Sequence, residues 1–110
     1  MQSGNLFKNI PPAAAEEAVE VLLNRPGVRL ERIASHGHAT PPGEWYDQET
    51  DEWVVLLSGR AWLRLEDPEQ LLEMEPGDWM MIPAHRRHRV ERTQEGADSV
   101  WLALHVVPAG

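Results

Sequence analysis

Turn-forming residues cut this chain into short pieces. Breaks bearing Pro or Gly recur at Asn24-Arg25-Pro26-Gly27, Pro41-Pro42-Gly43, Ser58-Gly59, Asp67-Pro68-Glu69 and Pro76-Gly77-Asp78, and Gln94-Glu95-Gly96-Ala97-Asp98 forms a last one. Gly supplies the positive φ of a tight turn and Pro pre-sets the corner. The pieces between them read as strands. Residues 52–58 hold an almost continuous apolar run, Trp53-Val54-Val55-Leu56-Leu57, as expected of a strand covered on both faces. Residues 60–66 alternate, with Ala61, Leu63 and Leu65 facing one way and Arg60, Trp62 and Arg64 the other. Residues 28–35, 71–74, 79–82, 89–93 and 99–107 complete the set, and Pro83 ends the fifth of these seven strands because it has no N–H to donate. Short strands at roughly ten-residue spacing predict an all-β sandwich or barrel. No repeat or linker divides them, so 110 residues make one domain with a single core.

The stretch before the first turn reads differently. Pro11-Pro12 opens it, and residues 13–23 are rich in Ala, Glu and Leu. Ala15, Val19, Leu22 and Leu23 share a helical stripe, Glu16 and Glu17 suit a helix N-terminus, and Asn24 to Gly27 stops the segment. This predicts one N-terminal α-helix packed on the outside of a barrel. Residues 1–27 are then tail and helix, and residues 28–107 the barrel.

Charge and composition exclude some roles. The net charge is −8 and the pI about 5.0, which argues against nucleic acid as a partner, since phosphate binding wants a basic surface. No apolar run approaches the ~20 residues of a membrane span. There is no cysteine, hence no thiolate ligand and no disulfide. With no secretory pattern at Met1, the expectation is a cytoplasmic protein.

Residues 76–92 carry most of the chemistry. His85 and His88 stand three apart with Arg86 and Arg87 between them, where one strand hands over to another. This stretch resembles the second sequence motif of the cupin family, G-x5-P-x-G-x2-H-x3-N. Gly77, Pro83, His85 and His88 reproduce its spacing, with His85 where the motif has its second Gly and Glu91-Arg92 where its Asn would fall. The first cupin motif, G-x5-H-x-H-x3-4-E-x6-G, is matched in its second half by Glu52 and Gly59. At the place of its His pair the chain has Tyr46-Asp47-Gln48, and His36-Gly37-His38 lies about ten residues too early. The resemblance spans roughly residues 28 to 107 and implies a double-stranded β-helix, or jelly roll.

In that family the first-motif histidines, the Glu and the second-motif His bind one divalent metal inside the barrel. Carried over, the resemblance implies Glu52 and His88 as ligands, with Gln48 at the place of the second His. Tyr46 stands at the first, as a ligand, a general base or neither. His36 or His38 would supply the missing imidazole if their loop folded over the mouth. Zn, Fe, Mn and Ni all suit such donors. Without a metal, Gln48, Glu52 and His88 would hydrogen-bond one another around water. His85 is expected at the rim, and His105 as a satisfied core histidine. Arg86 and Arg87 are either a clamp for an anionic substrate or partners of surface acids. Trp45 either stacks on a ligand or packs.

The functional expectation is a metal-dependent enzyme on a small polar or anionic molecule, of isomerase, lyase or decarboxylase type, with Tyr46 or Glu52 moving a proton. The alternatives are a non-catalytic ligand-binding or sensing module and a dimerisation scaffold. A homodimer is expected under all three.

Overall fold

The computed structural model describes residues 1–12 and 14–109. Eight strands follow one another: β1 (Ala18–Arg25), β2 (Val28–Ser35), β3 (Asp51–Ser58), β4 (Ala61–Leu65), β5 (Gln70–Met74), β6 (Trp79–Ile82), β7 (His88–Thr93) and β8 (Ser99–Val106). They form two antiparallel sheets, a five-stranded one in the order β1-β2-β8-β3-β6 and a three-stranded one in the order β5-β4-β7. The strands expected from the turn spacing are all present, and the chain folds as an all-β jelly roll.

The N-terminal helix is not. Residues 18–25 are a strand paired with β2 from Ala18↔Ala34 to Arg25↔Val28, while Ala13, where the helix was expected to begin, lies outside the described residues. The same letters that make a helical stripe also place Val19 and Val21 at alternate positions, and β-branched residues favour the pleated ladder. The supposed helix stop is the hairpin turn itself. Pro26-Gly27 separates the paired Arg25 and Val28, and Gly27 adopts φ 78°, the position a type II turn reserves for Gly. Ladder bonds with β2 outweigh a helix propensity difference of a few tenths of a kcal/mol per residue.

The core lies between the sheets. Val54, Leu56, Leu63, Leu65, Met74, Ile82, Trp101 and Ala103 are buried there. Leu56 and Ala103 are fully buried, and a Leu so placed contributes about 1.5–3 kcal/mol. β4 keeps its expected alternation, with Ala61, Leu63 and Leu65 inward and Trp62 outward under the Arg92 guanidinium. On the outer face of the large sheet, Arg32 is 5% exposed and holds the N-terminal tail. It donates to the backbone carbonyls of Leu6, Lys8 and Asn9 and pairs with Glu20. Elsewhere on that face Trp53 packs on Trp79 with ring centroids 5.9 Å apart, and Trp79 and Met81 stay exposed. No helix of the described residues is long and apolar enough to cross a membrane.

Gly59 turns β3 into β4 at φ 85°, and a Cβ there would meet Ser99 Oγ at 2.3 Å and Ser99 Cα at 2.6 Å. Both the backbone conformation and the space demand glycine. Gly59→Ala is expected to destabilise the fold by about 2–4 kcal/mol, read as the loss in unfolding free energy by urea denaturation.

Candidate functional site

One pocket of about 220 Å³ opens into the space between the sheets. Its walls are apolar at Val54, Leu63, Ile82, Val90 and Trp101 and polar at Glu17, Glu31, Tyr46, Gln48, Glu52, His88 and His105.

Two segments far apart in sequence build the polar end. Tyr46 N donates to His88 O at 2.7 Å and His88 N to Tyr46 O at 3.1 Å. His85 N donates to Gln48 O at 2.7 Å. These backbone bonds lace residues 46–48 onto residues 85–88 and set the Tyr46 and His88 rings 5.6 Å apart. Glu52 enters from β3, where it faces Ile82 of β6 on one side and His105 of β8 on the other. Opposed residues of neighbouring strands point to the same face, so Glu52 and His105 both look inward.

His88 is 5% exposed. Its Nδ1 lies 2.9 Å from the Arg86 carbonyl, which only accepts, so Nδ1 carries a hydrogen. Nε2 is thereby aimed at Glu52 Oε1, 3.4 Å away. Burial disfavours the charged ring, but the bonds to Glu52 and to the Arg86 carbonyl outweigh it, and the imidazole's pKa is raised. Gln48 Oε1 is buried with no hydrogen-bond partner among the described residues. Tyr46 stays a phenol: burial, reinforced by the Glu17 and Glu52 carboxylates, raises its pKa above 10.0. It is equipped to give a proton, not to take one at neutral pH.

The donors fit a divalent cation. One imidazole nitrogen, one carboxylate and one amide oxygen line the same pocket, and Gln48 Oε1 lacks a partner. Two ligands about 2.1 Å from a tetrahedral metal stand about 3.4 Å apart, the separation of His88 Nε2 and Glu52 Oε1. Among the described residues no group of three or more His, Cys, Asp or Glu side chains forms a ready cage, so a bound cation would need the amide of Gln48 as a third donor.

The remaining histidines sit elsewhere or are fully engaged. His36 Nδ1 lies 3.1 Å from Asp98 Oδ1. His38 accepts from His36 N and donates through Nε2 to Ala14 O at 2.7 Å, so neither nitrogen is free, and neither His36 nor His38 lines the pocket. His85 is exposed at the rim, 2.8 Å from Asp47. Its φ is 65°, the left-handed conformation for which the resembling motif carries Gly. His105 lines the pocket with both nitrogens engaged, Nε2 at 3.1 Å from Glu31 and Nδ1 at 3.2 Å from Thr50 Oγ1. The anion clamp is not formed. Arg86 donates to the carbonyls of Glu66 and Pro68, Arg87 pairs with Glu66, and neither lines the pocket. Trp45 packs under Arg87 and Arg89. Glu17 and Glu31 are the pocket residues that sequence reading missed. Glu17 looked like a helix-dipole partner; it is held instead by the Ser35 hydroxyl of β2, and Glu31 is turned inward by its place on β2 between β1 and β8.

No family model matches the chain, and no curated protein matches it. Solved structures do. A protein of Ralstonia eutropha JMP134, provisionally described as a mannose-6-phosphate isomerase, is 46% identical with a TM-score of 0.94, covering 98% of this chain and 100% of its own. A cupin superfamily protein of Desulfitobacterium hafniense DCB-2 is 18% identical with a TM-score of 0.75, covering 90% of this chain and 84% of its own. A Klebsiella pneumoniae protein with a double-stranded β-helix domain is 11% identical with a TM-score of 0.78, covering 97% and 90%. The last two share the fold alone.

Tyr46 is the chain's single tyrosine, so phenolate absorbance reports it without ambiguity. In the folded, chelator-treated protein its titration midpoint is expected above 10.0, moving down in Glu17→Gln as one of the carboxylates that raise it is removed. A midpoint at or below the ordinary value would remove Tyr46 from the acidic end of the pocket.

Proposed function

The chain belongs to the cupin superfamily, and from that premise we propose that it holds one divalent transition metal in the pocket and acts on a small polar molecule, as an isomerase, lyase or decarboxylase does. His88, Glu52 and the Gln48 carbonyl would hold the ion. The observation that carries this reading is the orphaned Gln48 Oε1, buried in the same pocket as an imidazole whose Nε2 is aimed at a carboxylate. A buried acceptor without a donor is costly, by about 1–3 kcal/mol, and a cation relieves it. The isomerase assignment of the Ralstonia relative supports the reaction class.

When bound, such an ion supplies Lewis-acid polarisation of a substrate oxygen. The chain's own groups do the rest. The Arg86 carbonyl fixes the His88 tautomer and leaves Nε2 directed into the pocket. Glu52, 8% exposed, is placed to receive a proton from the substrate, and the Tyr46 hydroxyl to return one to a substrate oxygen. Val54, Leu63, Ile82 and Trp101 keep water from the reacting atoms. A second reading, a binding or sensing module without catalysis, is favoured by that same apolar wall, which offers a ligand more contact area than chemistry.

The protein works as a homodimer in either reading. The support is the outer face of the large sheet, where Trp79 is 61% and Met81 54% exposed beside Trp53. Aromatic residues and Met are enriched at interface cores.

Two outcomes are expected. Elemental analysis of protein purified without chelator or histidine tag gives close to one transition metal per chain. His88→Ala loses it, and Glu52→Gln lowers metal affinity more than it lowers Tm. No metal, and none taken up on adding Fe, Mn, Ni or Zn, leaves the binding module. In sedimentation velocity the wild type runs as a dimer and Trp79→Glu as a folded monomer; a dimer in both would place the interface elsewhere.

A further inference from the structure

The titratable side chains lining the pocket include Glu17, Glu31, Glu52, His88 and His105, and among the described residues no lysine or arginine lines it. Two of the three carboxylates are compensated. Glu31 is held by Arg29 at 3.1 Å and by His105, and Glu52 faces His88. Among the described residues Glu17 has no cationic side-chain partner within salt-bridge reach. It is positioned instead by a buried relay of dipoles: the Trp101 indole Nε1 donates to Ser35 Oγ at 3.3 Å, and Ser35 Oγ donates to Glu17 Oε2 at 2.7 Å. Ser35 is 1% and Trp101 3% exposed, so this relay is fixed in place. The result is an oriented carboxylate at a pocket with an indole wall and the Tyr46 phenol nearby. An oriented carboxylate with no guanidinium or ammonium of the protein's own beside it, at a pocket with apolar walls, suits the ammonium group of a ligand, which supplies the missing charge pair. The Glu17 end repels phosphate and carboxylate, for which no lysine or arginine is at hand among the described residues.

We infer that the pocket takes a small ligand bearing a primary ammonium group, received by Glu17, in preference to one that would set a phosphate or carboxylate at that end. This rests on the pocket being the functional site, as above, and not on the metal.

Three probes share one ring and one hydroxyl: 4-aminocyclohexanol, cyclohexane-1,4-diol and 4-hydroxycyclohexanecarboxylate. Each is titrated into the protein while the tryptophan indole N–H signals are followed by NMR, with the Trp101 signal assigned through Trp101→Phe. The amine is expected to bind at least about tenfold more tightly than the diol, and the carboxylate more weakly than both. Glu17→Gln, which keeps the acceptor for Ser35, is expected to bring the amine within about twofold of the diol while the diol still binds. Carboxylate binding as tight as the amine's, no binding by any of the three, or a preference unchanged in Glu17→Gln overturns the inference. The titrations are run before and after chelator treatment. A preference intact in protein that never held metal separates the failure of the metal reading from the failure of this one.

Discussion

β8 is hydrogen-bonded along both edges, to β2 from Ser99 to Val106 and to β3 over nearly the same span. A strand paired on both sides cannot slip by one residue without turning its whole inner face outward. Trp101, Ala103 and His105 are therefore fixed toward the small sheet, and with them the partners opposite: Glu31 beside Ala103 and Glu52 beside His105. The acidic row along the pocket is a consequence of register. Glu31 and Glu52 sit where they do because β8 allows one alignment of its neighbours.

The opposite wall depends on a different device. His88 begins β7, but it is set by three bonds, one from its ring to the nearby Arg86 carbonyl and a reciprocal backbone pair with the distant Tyr46. The segment that carries Tyr46 and Gln48 has no strand of its own and is ordered by being laced to residues 85–88. The two walls answer to different forces, one to long ladders and the other to a handful of bonds at a strand end. That division suits a site whose floor must stay rigid while its polar end accommodates a ligand.

Much of this was legible in the sequence. Turn residues marked every strand boundary from Val28 onward to within two residues, because a Gly at positive φ or a Pro without an N–H is a local requirement that no distant contact removes. The spacing of Gly77, Pro83, His85 and His88 brought His88 to the pocket, and Glu52 with Gly59 brought Glu52. What failed was whatever depends on pairing partners. The alanine-rich run before Asn24 has a helical stripe and a strand alternation at once, and the decision came from β2, which sequence pattern alone does not supply. Glu17 and Glu31 were silent for the same reason. His36 and His38 looked like ligands by type, yet the loop that holds them is tied to Asp98 and Ala14 and stays away from the pocket.

Arg32 holds the N-terminal tail by hydrogen bonds to the backbone carbonyls of Leu6, Lys8 and Asn9. What it reads is therefore chain geometry, not residue identity. The side chains of this strap are free to drift, since any residue offers the same carbonyl. Its length is not, because one residue gained or lost between Leu6 and Asn9 turns different oxygens toward a guanidinium that has no water to fall back on. Surface segments ordinarily tolerate insertions and deletions readily. Here the tolerance is inverted, and an N-terminal stretch that looks like dispensable trailing sequence is held to a fixed count.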